Sequence, residues 1–148
     1  LERGRGVGAS SRSTGVHARA DRGGRAGGGW PPRCGHTVAA LIGAHQPAGT
    51  VFVGRRPTAE RYSEELASRY PERDWILTRI LWLSGLELGK NRLGLVDTMR
   101  RYIYIHGSPE SAAMGVALSH GCIRMHNSDV VTLFDSVAPG TPVFIGED

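Results

Sequence analysis

The most informative stretch of the chain is Ser119-His120-Gly121-Cys122-Ile123-Arg124. It places Cys122 directly after a His-Gly pair and two residues before an arginine. A cysteine is nucleophilic as its thiolate, and neighbouring imidazole or guanidinium groups favour that form. Glycine before the cysteine lets the backbone turn sharply, so that consecutive N–H groups can point at one developing oxyanion. The stretch therefore predicts cysteine-based acyl transfer.

A second histidine, His106, ends the run Arg101-Tyr102-Ile103-Tyr104-Ile105-His106. The run alternates as a β-strand does, which predicts the tyrosines and the histidine on one face and the isoleucines on the other. A histidine at a strand end is often only a polar edge residue. Because the flexible Gly107 follows it and a cysteine motif lies downstream, we interpret His106 as the general base for Cys122.

The segments Ile105-His106-Gly107 and Ser119–Met125 strongly resemble the signature of the L,D-transpeptidase (YkuD-type) catalytic domain of bacterial cell-wall enzymes. The resemblance covers roughly residues 43 to 146, including Asp74–Arg79 and Asn127. It implies a mainly β (α+β) fold, a β-sandwich of mixed sheets with one or two short helices.

The resemblance also implies a role for each motif residue. Cys122 is the nucleophile and His106 the general base, with the ring oriented by the Gly107 carbonyl. The remaining motif residues line the site: His120 and Gly121 at the oxyanion hole, with the Cys122 N–H, and Arg124 and Ser119 on the substrate-binding side. The alternative for Arg124 is that it is an exposed cation with no role in the site. The Ser119 hydroxyl is expected to form hydrogen bonds within the loop rather than to take part in the chemistry.

The reaction implied by the resemblance is the formation of a thioester between Cys122 and diaminopimelate in a peptidoglycan stem peptide. The acceptor is the amine of a second stem (a 3→3 cross-link), water, or a lipoprotein lysine. No metal or organic cofactor is needed, and a periplasmic or cell-envelope location is expected. The alternative from the same resemblance is a non-catalytic or truncated peptidoglycan-binding pseudo-enzyme.

A zinc site is the competing interpretation of the same residues, because histidine and cysteine both bind zinc. The candidate ligands are His106, His120, Cys122 and His126. Their spacing lacks the paired motifs of usual zinc sites, and ligands two apart in a tight turn chelate poorly. We therefore predict no metal site.

The charge of the chain argues against a nucleic-acid partner. The formal net charge is +4. Residues 1–33 contain seven arginines against two acids, whereas residues 34–148 contain 11 basic and 12 acidic residues. The basic character thus belongs to the N-terminal segment, and the rest of the chain has no bias toward polyanions.

The N-terminal segment differs in composition from the rest. Residues 1–34 are rich in glycine and arginine with almost no apolar periodicity, which predicts a disordered tail, or a stretch from a non-native reading frame, before a catalytic domain at 35–148. The first strands of the domain are not visible in this composition. There is no apolar run of about 18 residues for a transmembrane helix and no apolar core of a signal peptide. Cys34 is interpreted as an incidental thiol.

Local patterns predict the secondary structure beyond residue 37. The predicted strands are Val38–Ile42, Thr50–Val53, Trp75–Leu83 and Thr141–Ile145, with Pro57 ending the second. Ser63 is a candidate N-cap of a short helix, and Asn127 a candidate N-cap of a helix over Ser128–Val137.

Overall fold

A computed structural model describes residues 8–9, 16–19, 34–86, 92–94, 97, 99–111 and 122–146. The strands are β1 (Gly8–Ala9), β2 (Val16–Arg19), β3 (Cys34–Ile42), β4 (Thr50–Val53), β5 (Arg56–Arg61), β6 (Ile76–Gly85), β7 (Tyr104–Ser108), β8 (Ile123–His126) and β9 (Pro142–Gly146). The helices are α1 (Glu64–Arg69) and α2 (Asn127–Ser136).

All nine described strands belong to one branched sheet around β6. The main path runs β1-β2-β9-β3-β6-β4-β5, and β7 pairs with the other edge of β6 and carries β8. Most pairs are antiparallel, whereas β2–β9 and β7–β8 are parallel. Strand β6 can lie at the centre of the sheet because its apolar residues are buried on both faces. The predicted mainly β class with two short helices is confirmed.

The two faces of the sheet pack into different clusters. One face buries Ile103 and Ile105 against helix α2 and its Val130. The other buries Tyr104 with Phe52 and Ile80, and Trp82 and Cys122 pack against that cluster. The predicted alternation is therefore confirmed for Tyr104 against its isoleucine neighbours, and the thiol lies on the face away from α2.

Most of the predicted local elements are present. The strand Thr50–Val53 has the predicted bounds, and the other three predicted strands correspond to β3, β6 and β9. Ser63 caps α1, because its Oγ accepts a hydrogen bond of 3.0 Å from the Leu66 N–H.

Three local predictions are wrong, each because a neighbouring strand or side chain decides the conformation. Pro57 does not end a strand; it lies in β5, paired with Phe52 across a tight hairpin. The predicted strand at Arg101 begins only at Tyr104, since Tyr102 has a left-handed φ of 55°. Asn127 is not an N-cap, because its Oδ1 accepts a hydrogen bond from Thr78 instead.

Strands β1 and β2 lie within the segment for which composition predicts a disordered tail. Val16 of β2 pairs in parallel with Val143 of β9, and β1 pairs with β2. Such pairing uses backbone N–H and C=O groups, which every residue carries and which composition does not reveal. These two segments are therefore strands rather than disordered chain, and the division of the chain after residue 34 stays a prediction.

Neither α1 nor α2, the helices of the described residues, is long and apolar enough to cross a membrane.

Candidate active site at the β7–β8 pair

The parallel pairing of β7 with β8 brings the two predicted catalytic residues onto neighbouring strands. His106 is in register with Arg124, and Ile105 with Ile123. Cys122 immediately precedes β8, so it lies beside Tyr104, two residues from His106 along the ladder. Because alternate residues of a strand share a face, Cys122 and His106 lie on the same side of the sheet.

The imidazole of His106 is buried and held by the backbone of the next residue. Its Nδ1 lies 2.7 Å from the carbonyl oxygen of Gly107. A carbonyl can only accept, so Nδ1 donates its proton and Nε2 of the neutral ring is left as the acceptor. Nε2 has no hydrogen-bond partner among the described residues. The contact expected between His106 and the Gly107 carbonyl is therefore present, and Nε2, the nitrogen that can accept a proton, has no hydrogen-bond partner among the described residues.

Gly107 occupies a position with no room for a side chain. A Cβ at this residue would lie 2.5 Å from the carbonyl oxygen of Leu77 and 2.5 Å from Oδ1 of Asn127. Real Cβ atoms essentially never approach other atoms so closely. Glycine is thus required by the close approach of β6 and α2, and this approach fixes the carbonyl that orients His106.

Thr78 supports Gly107 from the neighbouring strand. It is fully buried, has a left-handed φ of 72°, and lies where the register of β6 with β7 shifts. Its Oγ1 donates to Oδ1 of Asn127 at 2.6 Å and accepts from the N–H of Gly49 at 3.1 Å. A left-handed β-branched residue costs about 1–2 kcal/mol, so these hydrogen bonds hold a strained bulge against the base. Sequence analysis gave Thr78 no role, because no residue pattern marks a bulge at a threonine.

The surroundings of His106 keep its ring neutral. Burial lowers the pKa of the imidazole, and the charge of Arg124 lowers it further. The hydrogen bond with Gly107 and the charge of Asp74 oppose this shift by raising the pKa. A neutral ring can accept a proton through Nε2, as a general base must.

The thiol of Cys122 is bound to the backbone of the neighbouring tyrosines. Its Sγ accepts from the N–H of Tyr104 and donates to the carbonyl of Tyr102, both at 3.4 Å. Burial raises the pKa of the thiol to about 11 and the charge of Asp74 raises it too, whereas the Tyr104 N–H lowers it. At pH 7 about one thiol in 10⁴ is then ionised. The expectation that cationic neighbours favour the thiolate stays a prediction, because His120 lies outside the described residues. Among the described groups, burial has the largest effect on this pKa.

The other predicted site residues divide into two groups. Arg124 is half-buried on β8, and its charge acts on the ring of His106. Ser119, His120 and Gly121 lie outside the described residues, so their predicted roles stay predictions. Among the residues that the structure describes, no group of three or more His, Cys, Asp or Glu side chains could hold a metal ion. His120, one candidate ligand, is not among them.

Asp74 is a residue near the site to which sequence analysis gave no role. It is exposed, precedes β6, and its charge raises the pKa of both His106 and Cys122. Nothing in its local sequence separates it from an ordinary surface acid before a strand. The fold alone brings it near the site.

Comparison with known proteins gives a consistent picture. The sequence profile of the L,D-transpeptidase catalytic domain (YkuD) matches residues 2–145. YqjB of Bacillus subtilis (strain 168), which its name places among the L,D-transpeptidases, is 48% identical over 44 residues, 30% of this chain and 25% of YqjB. YkuD of the same strain, named likewise, is 48% identical over 46 residues, 31% of this chain and 28% of YkuD.

A third relative also matches over only part of its length. YbiS of Escherichia coli (strain K12), also named for L,D-transpeptidase activity, is 41% identical over 59 residues, 38% of this chain and 19% of YbiS. The matched stretches thus span between 19% and 28% of the length of these relatives. No solved structure matches the chain significantly.

Proposed function

This chain belongs to the family of L,D-transpeptidase catalytic domains, and on that premise we propose that it is a cysteine L,D-transpeptidase acting on the stem peptides of peptidoglycan. The observation that carries the proposal is the ring of His106. Its Nδ1 is fixed by the Gly107 carbonyl, and its Nε2 is left as an acceptor on the face of the sheet that also holds Cys122.

The first half of the proposed reaction forms a thioester. Nε2 of His106 takes the proton of the Cys122 thiol, and the thiolate attacks the carbonyl carbon at the L-centre of diaminopimelate. The carbonyl oxygen becomes an oxyanion, for which the N–H groups of His120, Gly121 and Cys122 are the proposed donors. When the C–N bond breaks, the departing D-alanine amine takes the proton from His106.

The second half transfers the acyl group. An acceptor amine attacks the thioester carbonyl, its proton passes to His106, and the Cys122 sulfur leaves and is reprotonated. The side-chain amine of a second stem gives a 3→3 cross-link, water gives carboxypeptidase activity, and a lysine would attach a lipoprotein. No metal or organic cofactor takes part. A periplasmic or cell-envelope location goes with this substrate, and Arg124 and Ser119 are proposed to contact it.

The resting thiol must change its partner before it reacts. In the described arrangement Sγ donates to the Tyr102 carbonyl, and its pKa is about 11. Turning Sγ toward Nε2 of His106 exchanges this neutral contact for a thiolate–imidazolium pair, whose attraction is strong where water is excluded. We therefore expect the nucleophile to become reactive when substrate closes the site, as catalytic hydrogen bonds often tighten only with substrate bound.

A non-catalytic peptidoglycan-binding protein is the second candidate. The observation in its favour is the same half-buried thiol, whose Sγ contacts backbone groups of Tyr102 and Tyr104 and whose pKa is raised to about 11. On this hypothesis Cys122 packs against the cluster of Tyr104 without reacting.

Acylation by a carbapenem distinguishes the two candidates. Such a β-lactam presents a strained carbonyl to the same nucleophile, so intact-mass spectrometry after incubation would show one covalent adduct per chain. We expect the adduct on the native protein and on Cys34→Ala, the matched control that removes the other cysteine, and none on Cys122→Ala. A folded protein with no adduct at Cys122 would favour the binding candidate.

A further inference from the structure

A tight hairpin places an arginine beside the nucleophile. Val53 of β4 pairs with Arg56 of β5, and the two residues between them, Gly54 and Arg55, have φ values of 56° and 66°. A two-residue turn with both central φ values positive favours glycine or asparagine at these positions. Arginine there has a conformational cost, and such outliers are a reason to ask what the side chain does.

The guanidinium of Arg55 lies over two aromatic rings. Its Cζ lies 4.9 Å from the ring centroid of Trp82 and 4.5 Å from that of Tyr102. Its Nη1 donates to the hydroxyl of Tyr104 at 3.2 Å. The contacts with two rings and the hydrogen bonds with both tyrosines restrict the position of the guanidinium, which reduces the entropy lost when it binds a ligand.

The same tyrosines hold the thiol of Cys122. The Tyr104 N–H donates to Sγ, and the Tyr102 carbonyl accepts from it. Tyr104 thus contacts Sγ through its backbone and Arg55 through its hydroxyl, so that one tyrosine side chain separates the guanidinium from the nucleophile. Tyr102 is 51% exposed, and the group opens to solvent rather than into the core.

Arg55 forms no ion pair with any described residue, and its hydrogen-bond partners there are the side chains of Tyr104 and Tyr102. A guanidinium carries five N–H groups, more than these contacts use. Two N–H groups along one edge of a guanidinium can bind a carboxylate with two parallel hydrogen bonds. The arrangement therefore provides an oriented cation with donors to spare, one tyrosine away from the reacting sulfur.

We propose that Arg55 binds a carboxylate of the acyl-donor peptide next to the bond that Cys122 attacks. The inference rests on the proposed function and names a substrate feature that the site selects. The two residues joined by the scissile bond each carry one carboxylate: the terminal carboxylate of D-alanine and, at the end of its side chain, the D-centre carboxylate of diaminopimelate. Both present the same chemistry to a guanidinium, and amidation of one or the other separates them.

The test compares three synthetic donors: the stem tetrapeptide ending in diaminopimelate–D-alanine, its C-terminal amide, and the form amidated at the D-centre. For the native protein, we expect kcat/KM for thioester formation to fall about 10- to 100-fold when the recognised carboxylate is amidated, as for loss of a charged hydrogen-bonded pair. In Arg55→Gln, the unmodified and amidated donors should react at nearly equal rates. Arg55→Lys should restore only part of the preference, because lysine lacks the bidentate fork.

Arg56→Gln is the matched control, because it removes the same charge from the neighbouring, exposed position. It should leave the preference at the native value. Equal rates for all three donors with the native protein would overturn the inference, and so would an unchanged preference in Arg55→Gln. An equal loss of preference in Arg56→Gln would also overturn it, since general charge rather than a site would then be responsible.

A binding measurement separates this inference from the proposed function. Dissociation constants of the three peptides for Cys122→Ala need no chemistry, and the carboxylate form should bind about 10- to 100-fold more tightly than the recognised amide. If the native protein forms no thioester but Cys122→Ala keeps this ratio, the proposed function fails and the inference stands. If thioester forms but the ratio is one, the inference fails alone.

Discussion

The two halves of the candidate site are built to different degrees. On the base side, His106 is buried and its ring is fixed by the Gly107 carbonyl. Gly107 in turn packs closely against Leu77 of β6 and Asn127. On the nucleophile side, Cys122 immediately precedes β8 and its thiol contacts backbone groups of Tyr102 and Tyr104. The pKa of this thiol is raised to about 11. The fold thus prepares the proton acceptor and leaves the thiol at rest.

This difference follows from what each group needs. A neutral imidazole is the form that burial favours, so the base can be fixed in the fold without an opposing charge. A thiolate is disfavoured by burial, and it needs a positive partner or an oxyanion hole at the moment of reaction. A site that keeps the thiol protonated until substrate arrives also protects it from oxidation, because oxidants attack the thiolate.

Removing the base should have the largest effect. We expect His106→Gln to slow acylation of Cys122 by about 10²- to 10⁴-fold, the usual contribution of a general base. Stopped-flow measurement of carbapenem acylation gives the rate. A loss of only a few-fold in a folded variant would mean that another group takes the thiol proton.

The matched control for this variant is His45→Gln. His45 lies in the exposed turn between β3 and β4. It should acylate at the native rate, which shows that the loss in His106→Gln belongs to the position and not to the residue type.

The tight packing of Gly107 makes it the next most sensitive position. Gly107→Ala places a Cβ 2.5 Å from the Leu77 carbonyl oxygen and from Asn127 Oδ1, so β7 must shift and the carbonyl that orients His106 moves with it. We expect a loss of about 3 kcal/mol in the free energy of unfolding, the upper end for overpacking against backbone. Urea denaturation measures this loss, and acylation should slow as well.

Gly35→Ala is the control for Gly107→Ala. The nearest atom to its added Cβ is in the Leu86 side chain at 3.6 Å, an ordinary van der Waals contact. Its stability should stay within about 0.5–1 kcal/mol of the native protein. Equal stability of the two variants would show that the base side is not fixed by this packing.

The sequence predicted the base side well because its signals are local. Alternation predicted that Tyr104 lies on the opposite face from its isoleucine neighbours, and the family resemblance implied that the Gly107 carbonyl orients the ring of His106. The apolar run of β6 and the cap at Ser63 are local in the same way. The mainly β class followed from such patterns together with the family resemblance.

The remaining features depend on residues distant in sequence, and local patterns cannot give them. The bulge at Thr78 depends on Asn127, 49 residues away. The stacking of Arg55 depends on Trp82 and Tyr102, and β2 pairs with a strand at the far end of the chain. The raised pKa of Cys122 likewise results from burial by several segments, whereas its neighbours in sequence suggest the opposite shift.

Alkaline titration gives the smallest effect and measures the nucleophile side directly. The unfolded thiol ionises near pH 9, whereas the folded thiol of Cys122 keeps its proton to about 11. Between these values the folded state binds more protons, so the stability from the half-buried neutral thiol is complete below pH 9 and is lost as pH rises to 11. We expect a loss of about 2 kcal/mol across this window, allowing for partial exposure of the thiol.

Urea denaturation at each pH, compared with Cys122→Ser, isolates this contribution from other groups that titrate there. Equal pH dependence of the two proteins, or a thiolate absorbance that rises near pH 7 in Cys34→Ala, would mean that the thiol of Cys122 is already activated and that the two sides are equally prepared.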